Sequence, residues 1–351
     1  MRLLDYAPQS KLQVKTTQIQ KPRFPVIDAH NHINAVFNPS EKISVDELLA
    51  RLDSAGVNVF VDLDGGWGED ILQNHLDTYK SAAPERFVHF GGVDWSKWPE
   101  QTSKFGEWAA SRLREQVRWG AQGLKIWKNF GLKVCDSEGE LVPLDDPRLD
   151  PIWATAAELG IPVLIHVADP VAFFDPLDAH NERWEELQAH PDWHFPSPPY
   201  PAFNTIMDQL ANLVCRHPQT AFIGAHVCCY AENLSWVAGL LDRAPNFFVD
   251  ISARISELGR QPYTARRFFI DYANRILFGT DMGVDPDTYQ IYYRFLESDD
   301  EYFKYDTGEI PGQGRWQIYG LYLPDDVLEK VYYKNAQKIL GLEGDLDGST
   351  G

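Results

Sequence analysis

The sequence contains a His-x-His pair, His30 and His32, directly after a short apolar run. Side chains two residues apart on a β-strand point to the same face, so the two imidazoles would lie side by side. Two adjacent imidazoles can bind one divalent metal ion. Because such a pair also arises on ordinary strands by chance, its chemistry depends on partners elsewhere in the chain.

Three further residues of metal-binding type each end an apolar run. His166 ends VLIH, His226 ends IGAH and Asp281 ends FGTD. If these runs are parallel strands of one barrel, their carboxyl ends share one rim and the side chains converge on one pocket. Each residue alone could be an ordinary polar group at the start of a loop, but the five together exceed what packing needs. His75 and His89, by contrast, show no partner pattern.

Cationic and aromatic residues are expected on the same rim. Lys125 lies in the fourth apolar run and Arg254 follows the seventh; each could bind an anionic group of a substrate, or be a plain surface charge or salt bridge. Trp67, Trp95 and Trp127 follow the second, third and fourth runs, where flat apolar surfaces would suit a ring. The same tryptophans could equally pack loops onto the barrel.

The elements that would position these residues repeat in one order, an apolar run followed by a turn and an amphipathic helix. Helix 44–56 opens with Ser44 and Glu47 in capping-box spacing and closes at Gly56. Eight such units predict a (β/α)8 TIM barrel. An open doubly wound sheet is disfavoured because no G-x-G-x-x-G follows an early strand. The predicted strands are 25–30, 57–64, 87–94, 123–128, 162–167, 220–227, 247–252 and 276–281.

Two segments depart from the repeat. An extended insertion, 169–201, follows strand five on the catalytic side and is predicted to be a lid, with Asp169 and Arg183 as weaker candidates for the same lid. A helical extension follows strand eight. The predicted organisation is an N-terminal extension over 1–24, one barrel domain over 25–345 and a disordered tail over 346–351.

Composition excludes several classes of protein. The formal net charge is −19, a field that repels nucleic acid and anionic membranes. Four cysteines without a C-x-x-C pair give neither a disulfide framework nor a thiolate zinc site. The first residues lack a secretory apolar stretch, and Lys11, Lys15 and Lys21 interrupt them. The expectation is a cytoplasmic protein that binds neither nucleic acid nor membrane.

The motifs IDAHNH, VLIHV, GAHV and LFGTDMG, spread over residues 26–341, resemble those of the amidohydrolase superfamily, within it the amidohydrolase-related group of lactonases and nonoxidative decarboxylases. The resemblance implies that His30, His32, His166 and Asp281 bind one divalent metal, zinc first and manganese as the alternative. It casts His226 as a general acid/base and Asp281 as the group that takes the proton from water. Barrels of this group are often dimers, so a homodimer is left open.

Because of Lys125, a site with two metal ions is a second possibility. In the two-metal branch of the superfamily, a lysine at the end of strand four is carboxylated and bridges two metals. His166 and His226 would then both bind the second ion. All the residue types for that version are present, although the group that this chain resembles more closely usually works with one metal.

Three functions follow from these expectations. The first is a metal-dependent hydrolase that acts on a ring-containing small molecule, a lactone or ester, through a metal-activated water. The second keeps the same centre but decarboxylates an aromatic or unsaturated acid. The third is a non-catalytic binding protein on the same barrel, against which the full set of His and Asp residues argues.

Overall fold

A computed structural model describes residues 9–33, 43–308 and 312–342. Eight parallel strands form one sheet in sequence order. All eight predicted strands are present, and most end earlier than the apolar runs that predicted them. Their bounds are Val26–Asn31 (β1), Val57–Asp62 (β2), Phe87–Gly91 (β3), Gly123–Ile126 (β4), Val163–Ile165 (β5), Phe222–Gly224 (β6), Phe247–Asp250 (β7) and Ile276–Leu277 (β8).

The sheet closes on itself between its first and last strands. The N–H of Ala29 donates to the carbonyl of Phe278 at 2.9 Å, and the N–H of Asp281 donates to the carbonyl of His30 at 2.9 Å. The predicted (β/α)8 barrel is therefore confirmed. Closure also brings residue 281 against residue 30, so the first and last strands of the barrel meet at the rim where the candidate site lies.

The strands are apolar on both faces because helices cover the outside of the barrel and side chains fill its interior. All three residues of β5 are buried, and β1 is buried along its whole length. This double burial explains why the strands read as continuous apolar runs rather than as alternating ones.

Helices alternate with the strands, as the sequence predicts. Ser44 caps the first helix by accepting the N–H of Glu47 at 3.2 Å, and Gly56 ends that helix with a left-handed φ of 79°. The longer helices are Val45–Ala55, Phe105–Trp119, Asp150–Leu159, Phe203–Arg216, Leu234–Arg243, Pro262–Asp271 and Pro286–Glu297. Shorter ones are Glu69–His75, Trp98–Gln101, Asn129–Leu132, Trp184–Ala189, Ile255–Leu258, Asp325–Glu329 and Asn335–Leu340.

The N-terminal extension runs over the C-terminal part of the chain. Its described residues, 9–24, contain neither helix nor strand. The Thr17 hydroxyl donates to Asp300 at 2.7 Å, and the Thr17 N–H donates to the same carboxylate at 2.5 Å. The predicted disordered tail, 346–351, lies outside the described residues.

Within the described ranges, no helix is long and apolar enough to cross a bilayer. The four cysteines are free thiols, and Cys228 and Cys229 are buried.

Candidate metal centre

Three of the predicted ligands lie together at the carboxyl end of the barrel. The Nε2 atoms of His30 and His32 lie 3.7 and 3.3 Å from the carboxylate oxygens of Asp281. Ligand atoms of these three residues all fall within 4.8 Å of one another. Both imidazoles are buried, and Asp281 is held beside them by its backbone hydrogen bond to His30.

Carboxylates behind the two histidines fix which ring nitrogen faces the centre. Nδ1 of His30 lies 2.9 Å from Asp250, and Nδ1 of His32 lies 2.8 Å from Asp64. An ionised carboxylate only accepts hydrogen bonds, so either ring, when it is neutral, carries its proton on Nδ1 and turns the Nε2 lone pair inward. Imidazoles supported in this way by carboxylates are the usual arrangement of metal-binding histidines. The donor set of two nitrogens and one carboxylate therefore fits a divalent metal.

His226 is a third imidazole beside the Asp281 carboxylate. Its Nδ1 donates to the backbone carbonyl of Ser252 at 2.9 Å, a partner that can only accept. Its Nε2 therefore carries a lone pair, and it lies 3.6 Å from the Asp281 carboxylate. The structure thus brings the predicted acid/base histidine to the same carboxylate as the two candidate ligands.

The backbone is strained at three neighbouring strand ends on this side of the barrel. His226 has φ 59°, Ala253 has φ 51° and Asp281 has φ 53°, all in the left-handed region that side chains disfavour. The left-handed conformation continues from His226 through Cys229. Such strain costs about 1–3 kcal/mol per residue and gathers at functional sites. Here it turns His226 and Asp281 into the barrel mouth.

His166 stands apart from the three-residue cluster. Its Nε2 lies 2.9 Å from the carbonyl of Ala168, and its ring packs edge-on against His226 with centroids 4.5 Å apart. Among the described residues, the ligand clusters that include His30 or Asp281 do not include His166. The structure therefore brings His166 to His226 rather than to His30 and His32.

Burial and charge act in opposite directions on the groups of the centre. Burial lowers the pKa of His32, but hydrogen bonds to Asp281 and Asp64 outweigh it and raise that pKa to about 9. Burial raises the pKa of Asp281, yet the neighbouring His30 and His32 hold it well below its usual range. Asp281 is thus an ionised carboxylate surrounded by imidazoles.

His226 and His166 are neutral, because their pKa values are lowered. Burial, together with the nearby His166 and Arg254, lowers the pKa of His226 well below its usual value. Burial also lowers the pKa of His166 to about 4, although Asp169 opposes the shift. At neutral pH both rings are proton acceptors.

Lys125 reaches the centre from β4. It is 1% exposed, and its amine lies 3.2 Å from Nε2 of His30 and 4.6 Å from the centre of the Trp127 ring. Burial lowers its pKa to about 8, against the opposing charges of Asp281 and Asp250. Among the described residues, no carboxylate lies within ion-pair distance of this amine.

Two of the three predicted tryptophans extend outward from the centre. Trp127 stacks on His32 with centroids 5.0 Å apart, and the half-exposed Trp67 stacks on Trp127 at 3.9 Å. Trp95 instead stacks on Phe130 at 4.5 Å. None of the described ring contacts of Trp95 joins it to the centre, so its observed role is packing.

Arg254 has a guanidinium whose donors are largely unused. The residue is 5% exposed, its Nη1 donates to the carbonyl of Ala253 at 2.8 Å, and its Nε is buried without a hydrogen-bond partner. In the described part of the chain, no carboxylate pairs with it. A buried cation is costly unless an anion pairs with it, so this group is suited to an anion from outside the chain.

His75 and His89, which show no partner pattern in the sequence, share a partner in the structure. Both rings donate to one oxygen of Asp62, at 2.7 and 2.9 Å, and all three residues are buried. The pattern was invisible in the sequence because the three residues come from β2, β3 and the helix between them, without regular spacing.

Charged pairs hold the insertion 169–201 to three other segments. Arg183 has a fully buried side chain that bonds to Glu257 after β7 and to Glu186 at 2.8 Å. Glu182 pairs with Arg260 at 2.8 Å. Glu185 pairs with Arg315 at 2.7 Å. Arg183, a weaker candidate for the lid, thus serves here as a structural anchor of the insertion, while Asp169 binds Lys128 at 2.5 Å.

The sequence analysis missed three residues that support the candidate centre. Asp64, Asp250 and Ser252 contact the outer nitrogens of His30, His32 and His226. A signal was available, because Asp64 and Asp250 each follow an apolar run at the same end of the barrel as the histidines.

Comparison with known proteins agrees with this architecture. The model of the amidohydrolase family matches residues 27–342. None of the curated protein sequences compared with the chain matches it.

Solved structures share the fold at low identity. A dihydroxybenzoic acid decarboxylase from Polaromonas sp. JS666, with bound manganese and the inhibitor 2-nitroresorcinol, is 16% identical with a TM-score of 0.56, covering 91% of this chain and 97% of its own. A 2,6-dihydroxybenzoate decarboxylase with bound 2,6-dihydroxybenzoate is 16% identical (TM-score 0.54; 92% and 100%). A 4-oxalomesaconate hydratase from Rhodopseudomonas palustris is 14% identical (TM-score 0.50; 90% and 95%). At these identities the likeness establishes the fold.

Proposed function

The chain belongs to the amidohydrolase family of metal-dependent enzymes, and from that premise we propose that it hydrolyses a small, ring-containing molecule of the lactone or ester type. The observation that carries the proposal is the set of three imidazoles around the Asp281 carboxylate. Nε2 of His30, His32 and His226 all lie 3.3–3.7 Å from its carboxylate.

We propose that His30, His32 and Asp281 hold one divalent ion, with His166 as the fourth ligand implied by the resemblance. Two imidazoles and a carboxylate suit zinc first and manganese as the alternative. When bound, such an ion polarises a carbonyl and makes water acidic enough to lose a proton near neutral pH.

The chain's own groups would manage the proton and the substrate. Asp281 is ionised and His226 is neutral, so both can accept a proton from water at the rim. Arg254 would bind an anionic group of the substrate. Trp127 and Trp67 would present flat faces to its ring.

The test is an assay of purified protein loaded with zinc or manganese against a panel of lactones and aryl esters in ¹⁸O-labelled water. The proposal expects one ¹⁸O atom in the acid product and no release of CO2. Absence of hydrolysis over the whole panel, together with CO2 release from hydroxybenzoates, would overturn it.

A decarboxylase of an aromatic or unsaturated acid is the second candidate. The unpaired guanidinium of Arg254 supports it, because this group fits a substrate carboxylate. Two of the relatives that share the fold are also decarboxylases of dihydroxybenzoates. In this reaction His226 or Asp281 would have to deliver a proton to the ring carbon, whereas both are acceptors in the structure.

Lys125 separates a one-metal centre from a two-metal centre. Its amine lies 3.2 Å from a nitrogen that would bind metal, where an ammonium would repel the ion. With one metal, Lys125 would contact the substrate; with two, it would be carboxylated and His166 and His226 would take the second ion. Mass spectrometry of the intact native protein distinguishes them, because carboxylation adds the mass of CO2.

A further inference from the structure

Two residues at the end of β7, Asp250 and Ser252, contact both a candidate metal ligand and the candidate acid/base. Asp250 accepts from Nδ1 of His30 at 2.9 Å through one oxygen. Through its other oxygen it accepts the N–H of His226 at 3.0 Å and the hydroxyl of Ser252 at 2.5 Å. Asp250 and Ser252 are fully buried.

The hydroxyl of Ser252 joins the two histidines directly. Its oxygen lies 2.9 Å from Nδ1 of His30 and 3.0 Å from Nδ1 of His226. It donates its single proton to Asp250 and has two lone pairs left, one for each imidazole N–H. The hydrogen-bonding capacity of this hydroxyl is thus completely used.

We propose that Asp250 and Ser252, which we call the β7 junction, are positioning residues that hold His30 and His226 in the same tautomer and aim both Nε2 atoms at Asp281. Hydrogen bonds within the chain are the evidence for the β7 junction itself. Only its effect on metal binding rests on the proposed function. The metal ligand and the acid/base histidine are then oriented as one unit rather than separately.

A single substitution at Asp250 should disrupt the tautomer of His30. In Asp250→Asn, one side-chain atom still accepts from the backbone N–H of His226, but the other becomes an NH2 group that faces Nδ1 of His30. Two donors cannot bond, so the NH2 group favours the His30 tautomer that carries its proton on Nε2, because Nδ1 can then accept from the amide. The nitrogen that faces the centre then has no lone pair for a metal.

The experiment compares Asp250→Asn with wild type in two measurements that need no substrate. Competition with a chromogenic chelator gives the dissociation constant of zinc, which should rise about 10- to 100-fold. Long-range ¹H–¹⁵N spectra of the metal-free, histidine-labelled protein should show the His30 proton on Nδ1 in wild type and on Nε2 in the variant. His30→Gln identifies the His30 signals.

A matched control and a milder variant complete the test. Asp150→Asn removes a carboxylate that lies 3.1 Å from His217, outside the centre, and should leave the zinc dissociation constant unchanged. Ser252→Ala deletes only the shared hydroxyl and should weaken zinc binding less than Asp250→Asn. It also keeps the proposal testable should the Asn variant fail to fold, which circular dichroism would show.

The outcomes separate the junction from the proposed function. Wild-type zinc affinity and an Nδ1 proton on His30 in Asp250→Asn would overturn the junction while leaving the hydrolase proposal intact. The same holds for unchanged zinc affinity in Ser252→Ala if the Asn variant is unfolded. A tautomer change in a protein that binds no zinc even as wild type would support the junction and contradict the metal-dependent function.

Discussion

At the scale of single residues, Asp281 has two proposed roles, and one substitution removes both. Its carboxylate faces His30, His32 and His226, so it is both a candidate ligand and a proton acceptor. Asp281→Asn keeps the size but not the charge. We expect turnover of the substrate found in the hydrolase assay to fall about 10²- to 10⁴-fold while the thermal midpoint of the metal-free variant stays near that of metal-free wild type. Steady-state kinetics and circular dichroism provide the two measurements.

The exposed Asp287→Asn, six residues further along the chain, is the control and should retain wild-type turnover. A near wild-type kcat in Asp281→Asn would contradict the role that we give to this carboxylate.

Arg254 gives a second prediction at the residue scale. Arg254→Met keeps an apolar stem but removes the guanidinium, so an anionic ring compound should bind about 10- to 100-fold more weakly, as expected for the loss of hydrogen bonds to a charged group. Calorimetric titration of the metal-loaded protein with 2,6-dihydroxybenzoate measures the loss. Resorcinol, which lacks the carboxylate, serves as the control. An equal loss of affinity for both compounds would show that Arg254 does not recognise the carboxylate of the ligand.

At this scale the sequence predicted where the candidate ligands lie, but not the residues that support them. His30, His32, His226 and Asp281 end apolar runs and could be found by position alone. Val227 and Cys228 are not residue types that favour the left-handed backbone conformation, so the sequence gives no sign of it there. The pairing of Ser252 with two histidines depends on distances across the barrel, which no local pattern contains.

At the scale of elements, ion pairs explain how the insertion 169–201 is held over the barrel. Removing one partner of a buried pair leaves an uncompensated charge at a cost of about 3–5 kcal/mol. Glu257→Gln should therefore loosen the insertion, since Arg183 would lose its buried partner. Limited proteolysis should then cut within 169–201 faster than in wild type.

Glu100→Gln, which removes an exposed partner of Lys97, is the matched control and should change nothing. If Glu257→Gln were as resistant as wild type, the buried pair would not be what holds the insertion.

The cluster of Asp62, His75 and His89 makes the stability of the β2–β3 unit depend on pH. Burial raises the pKa of Asp62, but its hydrogen bonds to both histidines hold that pKa far below its usual range. Burial lowers the pKa of His75, but its hydrogen bond to Asp62 outweighs this and raises the pKa. Asp62 thus stabilises the fold above its unfolded pKa of about 3.9, and His75 below its unfolded pKa of about 6.5.

Both contributions are present between these two values, and that of His75 is lost as the pH rises through its raised folded pKa. Asp62→Asn should therefore cost more stability at pH 5.5 than at pH 9. Chemical denaturation at the two pH values measures the difference. An identical loss at both would contradict the ion-pair interpretation.

The elements themselves were the most predictable part of the molecule. Strands buried on both faces must be apolar throughout, so eight separate runs sufficed to predict eight strands and the barrel. Strand ends were less predictable, because a residue such as His226 continues the apolar run although its backbone N–H already donates to a side chain rather than to a neighbouring strand.

At the scale of the whole molecule, closure of the barrel creates the candidate centre. The bond from the Asp281 N–H to the His30 carbonyl joins positions 251 residues apart in the chain, and the histidines of β1 meet the carboxylate after β8 there. The family match over residues 27–342 covers both ends of this closure. A divalent ion bound between them should stabilise the closed barrel, because it binds only the folded state.

The most direct test of the account is metal content per chain, by inductively coupled plasma mass spectrometry, on purified wild type and on Asp281→Asn after the same zinc reconstitution and desalting. The account predicts about one zinc per wild-type chain and substantially less in the variant. Two per chain would contradict the one-metal centre in favour of a carboxylated Lys125. No bound metal in reconstituted wild type, or equal content in both proteins, would contradict the central claim that His30, His32 and Asp281 hold a metal ion.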